Sequence, residues 1–172
     1  MALACSGKVS LTIQLTETNA QDLSTPKDDL TISKTRTITS GTGANQDDLL
    51  WHDQRILTNG ATEALSLHDG TLTGAFGAIT FDKLKGICLL NYSTENSLQL
   101  GASGATAVPF FANTSDILVL PPASATNTPS VFLFEAPAAA GLAVGTNEVI
   151  KFTHSGTTTN SLTYDIAVWG ED

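Results

Sequence analysis

The residues with the most potential for chemistry lie close together, within residues 42–67 of the 172-residue chain. His52 and Asp53 are adjacent there, and with Ser66 they could be drawn as a hydrolase triad. Neighbouring residues of a strand point to opposite faces, however, so His52 and Asp53 could not easily orient each other. No serine lies in a Gly-x-Ser-x-Gly turn of the nucleophile-elbow type. We therefore predict that the protein is not an enzyme and that this stretch has a structural or interface role.

A second group of charged residues lies in the alternating segment 30–39. One side of this segment carries Thr and Ser, and the other mixes Leu and Ile with Lys and Arg. Such a mixed face predicts a strand at a sheet edge or a subunit contact, where charges also deter wrong pairing. The residues that we expect in an interface or a structural network are Lys34, Arg36, Trp51, His52, Asp53, Arg55 and Glu63.

Metal binding has little support in the sequence. The three histidines are far apart, and no metal-ligand spacing joins them. Asp28-Asp29 and Asp47-Asp48 could ligate Ca²⁺, but they lack the alternating acidic spacing of an EF-hand, so we interpret them as solvated loop charges. Cys5 and Cys88 are too few for a disulfide framework or a zinc site, and Cys88 is expected in the core. We predict no metal and no cofactor.

Asn59-Gly60, between two apolar-patterned runs, predicts a β-hairpin. A two-residue type I′ loop would turn Trp51 away from the leucines of the second run. A three-residue loop, Thr58-Asn59-Gly60, with Gly60 as a bulge, would instead collect the large apolar residues on one face. We favour this loop, because a one-residue slip moves every side chain to the other face. Its register pairs Leu57 with Ala61, Arg55 with Glu63, Asp53 with Leu65 and Trp51 with Leu67.

The remaining pattern predicts an all-β fold. Residues 9–16 alternate as a half-buried strand does, and Leu84–Tyr92 is nearly all apolar, as in a central strand buried on both sides. Long, uneven connections fit Greek-key crossings between two sheets. We therefore predict a jelly-roll-like antiparallel β-sandwich of about 8–10 strands. It forms a single domain over residues 1–172, with residues 1–8 free to form a flexible N-terminal arm.

The charge distribution excludes some partners. The net charge is −9, and the eight Lys and Arg residues are scattered along the chain. A surface that binds a nucleic-acid duplex needs clustered basic residues to neutralise phosphates. The longest apolar run, near residues 136–144, is interrupted by Pro137 and Gly141 and is too short to span a bilayer. We predict that neither nucleic acid nor a membrane is a partner.

Several motifs together resemble a family of small proteins encoded among the head genes of tailed bacteriophages. The motifs are Ser24-Thr25-Pro26-Lys27-Asp28, the Lys34–Arg36 strand, Gly41-Thr42-Gly43-Ala44-Asn45-Gln46, Trp51-His52-Asp53-Gln54-Arg55, Glu63-Ala64-Leu65-Ser66-Leu67 and Ser161-Leu162-Thr163-Tyr164-Asp165-Ile166 with Gly170. The resemblance covers roughly residues 24–67 and 161–170.

The resemblance implies a function without catalysis. Family members placed in virions are similar to jelly-roll cement (decoration) proteins, often trimers on the outer capsid surface. The resemblance therefore implies a virion protein that is made in the host cytoplasm. Such a protein binds the major capsid protein and stabilises the contacts between capsid subunits. Its partners would be that protein and copies of itself in a homotrimer. The alternative is a tail- or fibre-associated sandwich that binds a receptor or carbohydrate.

Overall fold

The protein is built from β-strands. A computed structural model describes residues 4–101, 108, 110, 115–145, 148–156 and 159–172, and within these residues it contains no helix. The strands are β1 (Gly7–Thr18), β2 (Lys27–Ile38), β3 (Leu49–Leu57), β4 (Thr62–Ser66), β5 (Leu72–Gly74), β6 (Gly77–Ile79), β7 (Lys83–Asn91), β8 (Ser97–Gly101), β9 (Ile117–Leu120), β10 (Ser130–Glu135), β11 (Leu142–Ala143), β12 (Val149–Ser155) and β13 (Leu162–Glu171).

Eight of these strands form the main paths of two antiparallel sheets, which have five and four strands because β11 joins the first. The first has the order β3-β13-β7-β10, and β11 also pairs with β7; the second has the order β4-β12-β8-β9. If only these eight strands are numbered in chain order, the sheets read 1-8-3-6 and 2-7-4-5. Nearly every connection therefore crosses from one sheet to the other. The predicted all-β antiparallel sandwich is confirmed.

The two sheets share one apolar core. In β13, Tyr164, Ile166 and Val168 alternate with less buried residues, and β12 contributes Ile150 and Phe152 from the other sheet. The rings of Phe152 and Tyr164 lie with their centroids 5.1 Å apart, so the sheets are in direct contact. Burying a large aliphatic or aromatic side chain contributes about 1.5–3 kcal/mol of stability. The burial of many such side chains between the two sheets holds the sandwich together.

The predicted pairing of residues 49–57 with 61–67 is wrong. β3 pairs with β13 in the first sheet, and β4 pairs with β12 in the second. The turn between them is closed by a hydrogen bond from the Ala61 amide to the Thr58 carbonyl (2.9 Å), and of its two central residues only Gly60 has a positive φ (69°). That pattern fits a type II turn, which splays the flanking strands, whereas a type I′ turn needs positive φ at both positions. The turn therefore leads the chain to the other sheet.

The first two strands form a separate antiparallel ribbon, which we call the arm (residues 7–38). β1 and β2 pair along twelve residues each, from Gly7 opposite Ile38 to Thr18 opposite Lys27. Within the described chain, neither strand joins another sheet. The expected half-buried strand at 9–16 is thus exposed on both faces beyond the partly buried Val9, because no second layer covers it. Gly7 and Lys8, expected in a flexible segment, belong to β1.

Candidate functional site

The arm has one apolar face, which is open to solvent. Directly opposite residues of an antiparallel pair lie on the same face, so Leu11, Ile13 and Leu15 of β1 share a side with Ile32 and Leu30 of β2. All five side chains are exposed, and Leu15 keeps 62% of its surface in contact with solvent. A two-stranded hairpin is marginally stable by itself, and contiguous exposed apolar surface marks an interaction site. The apolar face is the strongest indication of a binding surface in the described chain.

The opposite face of the arm is a row of hydroxyl groups. The Ser10 and Thr35 hydroxyls lie 3.1 Å apart across the strands, and the Thr16 hydroxyl donates to Asp29 Oδ1 at 2.7 Å. These groups are hydrogen-bonded and also accessible to water, so this face needs no partner. The arm is therefore amphipathic, and only its apolar face would be stabilised by burial against a partner.

Charges stand at both ends of the apolar face. The root of the arm, near the sandwich, carries Arg36 opposite Val9 and Lys34 opposite Leu11; the tip carries Glu17 directly opposite Asp28. Like charges directly opposite each other on paired strands are destabilising. Among the described residues, no ion pair involves the exposed side chains of Lys34, Glu17 or Asp28. The face is basic at its root and acidic at its tip.

Arg36 ties the root of the arm to the sandwich. Its Nη2 donates to both carboxylate oxygens of Asp47, at 2.9 and 3.0 Å, and its Nη1 donates to Glu135 Oε2 at 2.7 Å. Asp47 is fully buried, and only a tenth of the Arg36 side chain is exposed. Burial raises the pKa of the Asp47 carboxyl, and the Arg36 hydrogen bonds and charge oppose that rise. The expectation that Asp47 is a solvated loop charge is wrong, because Arg36 takes the place of its water.

A second buried cation completes this connection. Lys85, fully buried, donates from Nζ to the Gly43 carbonyl at 2.8 Å and to the Gln46 carbonyl at 2.7 Å, and it pairs with Glu171. Lys83 Nζ also lies 3.0 Å from Glu171 Oε2. Three acceptors match the three donors of the Lys85 ammonium, so the loop after β2 is held against β7 and β13. We call the six charged residues the root clamp: Arg36, Asp47, Lys83, Lys85, Glu135 and Glu171.

The root clamp balances its charges, since it has three basic and three acidic side chains. Burial raises the pKa of Glu171, but the hydrogen bonds and charges of Lys85 and Lys83 outweigh it and leave that pKa lowered. Removing one member of a buried ion pair leaves the other uncompensated and costs about 3–5 kcal/mol. The clamp therefore fixes where the arm leaves the sandwich.

A groove lies between the arm and the sandwich. Val9, Leu11 and Lys34 line it on the arm side, and Leu133 and Pro137 line it on the side of β10 and the loop that follows. Its volume is about 410 Å³, whereas a cavity of about 150 Å³ already accommodates a benzene molecule. We call this the root groove; its walls are mainly apolar, and Lys34 in its lining has no ion-pair partner among the described residues.

Arg55 and Glu63 do form an ion pair, although they are not partners in a ladder. They come from β3 and β4, so their contact closes the open side of the sandwich between the two sheets. Arg55 Nη1 also donates to Asp53 Oδ2 at 2.9 Å, and the Tyr164 hydroxyl donates to Glu63 Oε2 at 3.1 Å. Burial raises the pKa of Tyr164, which keeps its proton available for this bond. This network joins the sheets.

The residues that could be drawn as a triad are not brought together. His52 is exposed on the outer face of the first sheet beside Ala167, whereas Asp53 lies on the other side of β3 and pairs with Arg55. Ser66 ends β4 in the second sheet. Trp51 is buried in the core together with Leu65 and Leu67.

Cys88 is half-buried on the outer face of the first sheet, so its predicted place in the core is wrong. Its register partners on both sides, Leu133 and Ala167, face outward with it. Burial raises the pKa of the Cys88 thiol. Within the described part of the chain, no three His, Cys, Asp or Glu side chains are placed to share a metal ion. The described residues also include no helix that could cross a bilayer.

Sequence reasoning missed most of the root clamp. Lys85 interrupts a nearly continuous apolar run, and a charge inside such a run signals a buried cation that needs acidic partners. Asp47, Glu135 and Glu171 gave no such signal, because they come from three distant segments. Only the fold brings them together.

The comparisons with known proteins give no relative. No family model matches the chain, and no curated protein and no solved structure matches it either. The resemblance to phage head proteins stays a prediction from the motifs quoted above.

Proposed function

We propose that this is a non-enzymatic viral structural protein, a capsid cement or decoration protein. It binds the outer capsid surface, contacts the major capsid protein and stabilises the contacts between capsid subunits. It does so as a homotrimer in the virion, after synthesis in the host cytoplasm. The observation that carries the proposal is the arm, a projecting ribbon whose apolar face is exposed and whose root is tied to a rigid sandwich.

The arm suits a protein that binds and does not catalyse. Its exposed apolar face offers area for burial against a partner, and the root clamp limits the freedom that binding would have to remove. Several protomers of one oligomer engage several capsid subunits together, so modest contacts gain strength through avidity. The separation of His52, Asp53 and Ser66 supports the absence of a hydrolase site.

The distribution of charge supports an outer-surface position. The arm contains four basic and four acidic residues, so the whole net charge of −9 resides on the remainder of the chain. An acidic body is repelled by packaged nucleic acid inside a shell, whereas outside the shell the charge keeps particles apart. The neutral arm is the part suited to close contact.

We also propose that the sandwich is a jelly roll. Its support is the strand order, in which β3 pairs with β13, β4 with β12, β7 with β10 and β8 with β9. These are nested pairs, first with last and so on inward, as in a long hairpin folded over into two Greek keys.

The test is binding to phage particles that lack this protein, read by electron microscopy. The wild-type protein should add density to the outer shell, and Ile13→Asp, on the apolar face, should reduce the occupancy strongly. The matched control is Gln14→Asp, one residue away on the polar face, which should bind as wild type does. Density at the tail, or none on the shell, would overturn the proposal.

A receptor- or carbohydrate-binding role in the tail or a fibre is the second candidate, and one observation favours it. Phe76, in the turn between β5 and β6, is 83% exposed, and an exposed aromatic ring on a loop can stack on a sugar. Trp51 and Trp169, by contrast, are buried. A glycan-binding screen with wild type and Phe76→Ala tests this role: binding that is lost in the variant would support it.

A further inference from the structure

We propose that the root groove is occupied by the arm tip of a second copy of this chain, so that the arms link the copies of the oligomer to one another. The inference deepens the homotrimer of the proposed function and rests on it. Each arm would give its tip to one neighbour and receive the tip of another at its root.

The two surfaces match in their apolar character. The tip half of the apolar face presents Leu15 and Leu30, both with about half or more of their surface exposed. The root half and the root groove present Val9, Leu11 and Leu133. Burying both halves would relieve the solvent exposure of the whole face.

The charges select this orientation. In a contact of tip on root, the tip carboxylates of one arm, Glu17 and Asp28, lie at the root of the next arm. At the root, Lys34 lines the groove. Its side chain is exposed and has no ion-pair partner among the described residues. A contact of tip on tip would place acid on acid, and a contact of root on root would place base on base. Only the contact of tip on root also relieves the repulsion between the two adjacent tip carboxylates.

The length of the arm permits this exchange. Twelve residues at about 3.3 Å each make a ribbon of about 40 Å, and the tip half of β1 is exposed to solvent. A contact of tip on root is heterologous, so it generates a closed ring when the rotation between copies closes. Three copies close such a ring with every tip and every root groove filled.

Charge reversal in the purified protein tests the contact without any capsid. Lys34→Glu should weaken self-association by roughly tenfold or more, as loss of an interfacial charge pair does. The double variant Glu17→Lys/Asp28→Lys should weaken it similarly. A chain that carries all three substitutions restores the opposite charges and should regain the wild-type mass by light scattering. The matched control is Lys8→Glu, the same charge change on the polar face, which should leave association unchanged.

The outcomes separate this inference from the proposed function. A wild-type protein that stays monomeric at high concentration overturns the tip-in-groove contact, and so does a triple variant that associates no better than the partial variants. If the arm face is covered by capsid protein instead, these variants change shell occupancy and not the mass of the free protein. If the charge swap restores the oligomer but no variant binds shells, the contact stands and the capsid role fails.

Discussion

At the scale of single residues, Trp51 and Arg55 lie four positions apart on β3 and should respond very differently to substitution. Trp51 is 4% exposed within the core cluster, and truncating a buried Trp to Ala costs about 3–5 kcal/mol of unfolding free energy. Arg55 is partly exposed, and such ion pairs contribute about 0.2–1 kcal/mol. Urea unfolding of Trp51→Ala and Arg55→Ala measures the difference. Equal losses would contradict the assignment of Arg55 to the surface.

The carboxyl of Glu171 should give stability a dependence on pH. Its pKa is lowered in the folded protein, so the unfolded chain binds its proton more readily. The stabilisation is present above the ordinary Glu pKa of 4.5 and is lost as the pH falls through the lower, folded value. Glu171→Gln should therefore lower stability at neutral pH and flatten its fall in acid. Denaturant unfolding from pH 7 to 3 measures this, with the exposed Asp116→Asn as the control; parallel curves for Glu171→Gln and wild type would contradict it.

At the scale of elements, β7 can pair with β13 only because Gly86 has no side chain. Trp169 is its register partner, and a Cβ at Gly86 would overlap the indole ring. Gly86→Ala should cost about 1–3 kcal/mol, the usual penalty for overpacking. Thermal unfolding measures it, with Gly7→Ala as the control, since nothing lies within 4 Å of a Cβ there. A Gly86→Ala protein as stable as wild type would show that Trp169 can move aside.

The turn at Thr58–Ala61 shows that neighbouring residues can predict a turn but not which strands pair. Asn59-Gly60 correctly marks a turn between two strands, and Gly60 has the positive φ that such a turn uses. Which strands then pair depends on β12 and β13, which come about ninety or more residues later in the chain. Each offers a full ladder of hydrogen bonds, and the local hairpin cannot compete with both.

At the scale of the whole molecule, the arm and the sandwich should differ widely in stability. The arm has two strands and no second layer, whereas β7 and β13 lie inside a sheet over a buried core. Local opening is easiest where few apolar contacts are buried. In dilute protein, amide hydrogens of β1 and β2 should exchange orders of magnitude faster than those of β7 and β13. Mass spectrometry after deuterium labelling tests this, and equal protection in a monomer would mean that the arm packs on its own sandwich.

The sequence by itself determined the fold class and the positions of the main strands. Alternation and apolar runs depend only on neighbouring residues, so the strand at Leu84–Tyr92 could be predicted to within one residue at each end. Trp51 is buried, but the hairpin register that would group it with Leu65 and Leu67 is not what buries it, since β3 pairs with β13. Period-2 patterning tells which residues share a face.

Only the tertiary structure decided what each face meets. The alternation in residues 9–16 is the same for a strand that covers a core and for one that projects as half of an arm. From the sequence, Asp47 is indistinguishable from a solvated loop charge. In the fold, Arg36 hydrogen-bonds to it and the charge of Lys85 lies nearby. Strand pairing, buried ion pairs and open faces depend on segments far apart in the chain, and local patterns carry no information about which of them will meet.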